Sequence, residues 1–171
     1  MKGENNMPQL VKRKDIVLYL DTTPKAVNET WNLYGRKSTT ATYSYNPETT
    51  SETYITDDNA TVTLDRYNIT IDGNMKCYFG DAIYDFINGL RYNLATGTDA
   101  ITKALLIDKY DKTDDTFKAQ VFEATISVES YGGDGGVTPT ITFGIGLNGT
   151  PTNGTVTFSG ETPTFIPVAS L

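Results

Sequence analysis

Only one stretch of this chain repeats its apolar residues at the period of a helix, and that stretch limits what the rest can be. Within Gly80–Tyr92, the residues Ile83, Phe86, Ile87 and Leu90 fall at i, i+3, i+4 and i+7, which places them in one stripe on one face. Asp81 stands at the N-cap position, where its carboxylate can accept from the free amides of the first turn, and the spacing predicts a helix over 81–92. Asp85 near its start and Arg91 near its end suit the helix dipole. Helices shorter than about 12–15 residues are marginal alone in water, so this one must be held by packing its stripe on a sheet. The expected fold is therefore mainly β, with one helix that plugs or covers it.

Strand patterns fill the remainder. Ile16-Val17-Leu18-Tyr19-Leu20 is apolar on both faces, which implies cover on both sides, and Thr30–Tyr34 reads as a short strand ending at Gly35. From Ser38 to Ile55 the alternation has few aliphatic residues and is broken by Asn46-Pro47-Glu48, so 38–55 reads as a long hairpin that cannot bury much against its own domain. Thr61–Asp65 and Tyr67–Ile71 alternate with Val62, Leu64, Ile69 and Ile71 inward, and Asp72-Gly73 signals a turn before Met75–Phe79. After the helix come strands over Lys103–Tyr110, Phe117–Glu129, Thr140–Leu147 and Thr155–Phe158. Residues 1–9 and the proline-bearing 160–171 read as terminal arms. At 171 residues the chain makes one domain spanning 1–171.

The residues present exclude most chemistries. There is no histidine and a single cysteine, Cys77, so an internal disulfide, a Cys/His zinc site and a Ser-His-Asp triad are all ruled out. Gly144-Ile145-Gly146-Leu147-Asn148-Gly149 matches a dinucleotide-binding pattern, but its glycines lie inside an alternating strand and no helix follows. The carboxylate pairs Asp81/Asp85 and Asp114/Asp115 read as a helix cap and a solvated turn rather than as an acid-base pair. The expectation is a protein with no catalytic residue, metal or cofactor, hence not an enzyme. A net charge of −7 argues against gripping nucleic acid, and no apolar run is long enough to span a membrane. The start Met-Lys-Gly-Glu-Asn-Asn has no apolar signal-peptide core, which points to synthesis and retention in reducing cytoplasm.

Asn46-Pro47-Glu48, Tyr54-Ile55, Gly80-Asp81 and the run Leu90–Ala100 occur in an order that resembles the major tail, or tail tube, proteins of long-tailed bacteriophages, particularly those infecting Gram-positive bacteria. The likeness runs from about Ile16 to Leu147. It implies an antiparallel β-sandwich or small barrel with one flanking helix, in a virion component assembled in the host cytoplasm, whose copies form hexameric rings that stack into a tube. DNA would pass through the lumen without specific binding. The implied partners are further copies of the chain, a tape-measure protein, and baseplate or distal tail and tail-terminator proteins. The long hairpin becomes the contact between rings, with Tyr43, Tyr45, Asn46, Pro47, Glu48, Glu52 and Tyr54 as its candidates. A different reading from the same residues is a β-sandwich that binds carbohydrate or a receptor, with Tyr43, Tyr45 and Tyr54 as stacking surfaces.

Overall fold

A computed structural model describes residues 8–168, so 1–7 of the amino-terminal arm and 169–171 of the carboxy-terminal arm lie outside the described residues. The strands are β1 (Ile16–Asp21), β2 (Trp31–Tyr34), β3 (Ala41–Ser44), β4 (Pro47–Glu52), β5 (Thr61–Tyr67), β6 (Thr70–Lys76), β7 (Ile101–Thr113), β8 (Thr116–Gly132), β9 (Thr140–Ser159) and β10 (Thr162–Pro167). One helix, α1 (Ala82–Tyr92), separates β6 from β7. Eight strands form one antiparallel sheet in the order β2-β1-β7-β8-β9-β6-β3, with β10 also on β9, while β4 and β5 pair only with each other.

The large sheet is curled. In a flat sheet β1 and β6 would stand four strand spacings apart, about 19 Å. Yet Leu18 and Leu20 of β1 share one buried cluster with Ile71 and Met75 of β6. The two ends of the sheet meet across a seam, where the Tyr34 hydroxyl donates to the Asn74 carbonyl at 3.0 Å and the Lys76 amide donates to the Lys37 carbonyl at 3.0 Å. Beneath the seam the Phe143 ring meets Tyr34 edge-on at 5.7 Å. Gly73 lets that ring approach: a Cβ there would come within 2.6 Å of it. The Asp72-Gly73 pair is therefore mid-strand in β6 and makes no turn, because the missing side chain serves packing.

β1 is covered on both sides. Leu18 and Leu20 face the main cluster, and Val17 and Tyr19 face a second one with Leu105, Ile107, Ala119 and Val156. Helix α1 closes the main cluster with Ile83, Tyr84 and Ile87 buried and Phe86 and Leu90 at its margin. Tyr84, outside the predicted stripe, widens the buried face. The Asp81 carboxylate accepts from the Ile83 and Tyr84 amides at 3.0 and 3.1 Å. Asp81→Ala should cost about 1 kcal/mol, read as a lower urea midpoint, with Asp81→Asn restoring most of it.

The carboxy-terminal arm expected from 160 onward is a strand as far as Pro167. Its prolines are accommodated because β10 pairs with β9 on one side only, so a missing amide need not break a ladder. Pro163 is buried opposite Phe158, and Gly154, opposite Pro167, admits the Phe165 ring where a Cβ would lie 2.5 Å from it.

Candidate assembly surface

The hairpin expected over 38–55 is displaced along the chain. Its first half, β3, joins the large sheet against β6, with Tyr43 opposite Ile71. The free ribbon is β4 with β5, and it spans 47–67. Alternation shows that a segment is a strand but does not name its partner, and Ala41 and Tyr43 have core to pack on that the Thr- and Ser-rich β4 lacks.

Asn46 makes the pivot. Its backbone takes φ of 40°, a left-handed conformation that asparagine tolerates better than most residues. Its side-chain amide donates to the Asn68 carbonyl at 2.9 Å and the Thr70 hydroxyl at 3.2 Å, and its carbonyl accepts from the Asn68 amide at 3.2 Å. Pro47 then opens β4, exposed, where no ladder amide is needed. Glu48 pairs with Arg66 at 2.6 Å across the ribbon and accepts from the Asn68 side chain.

No residue of the two ribbon strands is buried, and only Glu48 is half-buried. Val62 and Leu64, expected inward, are 65% and 47% exposed because the ribbon leaves the body and β4 places only Ser51 and Thr49 opposite them. Ile55 is fully exposed in the turn, and Tyr54 beside it donates to Glu52 at 3.0 Å. Tyr45 and Tyr67 stack edge-on at 6.0 Å at the base, both half exposed. The ribbon thus presents apolar and aromatic side chains that its own domain does not cover.

Tyr43 is different. Its ring lies under Arg13, whose guanidinium is 5.8 Å from the centroid, and its hydroxyl is buried with no hydrogen-bond partner among the described residues. That position removes it from the contact candidates and from the sugar-stacking set. Burial pushes its phenol up to about 12, against the opposing pull of Arg13. The folded state therefore favours the neutral phenol, and the stability this supplies, whole below the ordinary tyrosine value near 10, is lost as pH rises through 12. Tyr43→Phe should stabilise the domain by about 1 kcal/mol near neutrality by removing an unsatisfied hydroxyl. It should also flatten part of the alkaline loss, both read from urea midpoints at neutral and alkaline pH.

The remaining sequence candidates lie outside the ribbon. Asp85 accepts from the Gly80 amide at 3.2 Å, and Asp115 pairs with Lys112 at 3.3 Å beyond the turn at Asp114. Cys77 is half-buried, and burial pushes its thiol up. Gly144 and Gly146 lie within β9. Among the described residues no three metal-ligating side chains gather, and no helix is long and apolar enough to cross a membrane. Sequence reasoning missed Asp21, which is buried and accepts from the Thr23 and Thr30 amides at 3.0 and 2.9 Å, tying down the loop between β1 and β2. Its signal was present in Asp21-Thr22-Thr23-Pro24, a run in which an aspartate can cap its own turn.

No protein-family model matches the chain, and no curated protein matches it in sequence. Among solved structures it is similar to the tail of an empty GTA particle computed with helical refinement and C6 symmetry, with a TM-score of 0.58 at 14% identity. The likeness covers 82% of this chain and 96% of that one. At this identity the likeness establishes a shared fold, which among the described residues of this chain is mainly β and antiparallel, with one α-helix.

Proposed function

We propose that this chain is the structural subunit of a bacteriophage-type tail tube, whose copies close into six-membered rings that stack into a conduit for the genome. The observation that carries the reading is the fold shared with a C6-symmetric tail over most of both chains. The uncovered ribbon 47–67 supports it, since apolar side chains without cover in their own domain ask for a neighbouring copy. So do β2 and β3, the two edges of the large sheet, which a ring of copies can pair or cover.

In this reading the ribbon, from Tyr45 through Tyr54 to Tyr67, makes contacts between copies in adjoining rings. The net charge of −7 keeps a passing duplex from adhering to the wall. The subunit carries out no catalytic step. Its further partners are a tape-measure protein inside the tube and baseplate and terminator proteins at its ends, and its place is the virion tail after assembly in the host cytoplasm.

Negative-stain electron microscopy of the concentrated protein, with light scattering on the same sample, tests this. Rings or hollow tubes of uniform width are expected. A monodisperse monomer that bound one glycan selectively on an array would replace the reading with that of a binding module.

A further inference from the structure

The chain is acidic, with 14 Lys and Arg against 21 Asp and Glu, yet four of its cations border one cleft. Arg13, Lys14, Arg36 and Lys109 line a cavity of about 470 Å³ beside β1 and the end of β2, and no carboxylate lines it. Its apolar wall comes from strand residues such as Val17 and Leu33. Arg13 is fixed there by donating to the Ile16 and Ala41 carbonyls at 2.6 and 3.0 Å, which leaves its charge uncompensated. Arg36 pairs with Glu161 outside the cleft, and the Lys109 ammonium rests 4.4 Å from the Phe158 ring centroid. Among the described residues no carboxylate lies within ion-pair distance of Arg13, Lys14 or Lys109.

The ribbon carries the opposite pattern. From Thr49 to Asp65 it holds Glu52, Asp57, Asp58 and Asp65 and neither lysine nor arginine. Asp57 and Asp58 sit beside exposed Ile55 in the turn. A strand rise of about 3.3 Å per residue projects that turn on the order of 20 Å from the Asn46 pivot. No ribbon residue lines the cleft of its own chain.

We infer that the cleft receives the ribbon turn of a second copy, with Asp57 and Asp58 set among Arg13, Lys14 and Lys109 and Ile55 against the apolar wall. This rests on the reading of the ribbon as a contact between copies and adds the surface that it contacts. Charge complementarity selects the occupant, since an acidic segment with apolar neighbours fits a cationic cleft with an apolar wall. Salt alone is a poor probe, because it screens the repulsion between acidic copies as well as the contact.

The test is a charge swap in the full chain, followed by sedimentation velocity and electron microscopy. Lys14→Glu with Lys109→Glu, and separately Asp57→Lys with Asp58→Lys, should each raise the concentration at which association begins by about tenfold or more. The chain carrying all four changes should return to within about threefold of wild type. The ribbon pair lies in an exposed turn, so it keeps the test sound if the cleft pair lowers stability. Wild-type-like assembly of both pairs, or a fourfold variant no better than either pair, overturns the inference and leaves the tube reading standing. Unchanged assembly together with loss of binding to a short DNA duplex in the cleft pair would assign the cleft to phosphate and equally overturn it. Oligomers that obey the swap without forming rings or tubes uphold the inference while removing the tube. Wild type that stays monomeric at its highest soluble concentration removes both.

Discussion

Excision of Thr49–Asp65, with Glu48 and Arg66 joined through Asn-Gly, should give a domain that unfolds at the wild-type urea midpoint and forms no rings or tubes. Glu48 and Arg66 stand directly opposite each other in the ribbon, so a two-residue turn bridges them without disturbing the pivot. Every residue removed lies outside both buried clusters, and the two strands pair only with each other. The expected change in stability is within about 0.5 kcal/mol, as for surface substitutions remote from the core. A loss above about 2 kcal/mol, or a collapsed circular dichroism spectrum, would place the ribbon in the fold and end its role as an assembly device.

Phe143→Ala should be the most damaging single change, at about 3–5 kcal/mol. Domains of this kind are commonly stable by about 5–15 kcal/mol, so the variant would lie near the limit of folding. The ring is 1% exposed, meets Tyr34 across the seam, and fills the space that Gly73 leaves open. Its loss leaves a cavity bounded by strands from both ends of the sheet, which cannot close over it without shifting the seam. Gly73→Ala tests the same contact from the other side and should cost about 1–3 kcal/mol by overpacking. Combined with Phe143→Leu, the Gly73→Ala penalty should shrink, and a double-mutant cycle on urea midpoints would show it. Additive costs would mean that the close approach does not matter.

Local signals carried the sequence reading as far as they reached. The two-faced Ile16–Leu20 needed cover on both sides and lies between two clusters. Capping geometry and periodicity marked α1, although its buried face also takes in Tyr84. Pairing was less legible. Val62 and Leu64 carry the pattern of inward residues, but whether such a face is covered depends on where the strand goes, and Asn46 directs it away from the body. Asp72-Gly73 has the composition of a turn, and only the Phe143 ring across the ladder reveals why glycine is there. The proline-bearing tail became β10 because an edge of β9 was open to it, a fact of topology absent from the tail's own residues. The cationic cleft escaped for the same reason, since Arg13, Lys14, Arg36 and Lys109 come together only through the pairing of β1 with β2 and β7.

The length of β8 and β9 has a consequence for how the domain comes apart. The two strands run side by side through the molecule, giving Phe122, Ile126, Ile141 and Phe143 to one cluster and Ala119 and Val156 to the other. The ladder between them shifts register at Val121–Glu123, near the boundary of the two clusters, but the same two strands carry both, so melting one cluster pulls on the strands of the other. The two cores therefore behave as one cooperative unit, and a disturbance at either end of the barrel is shared along its full height.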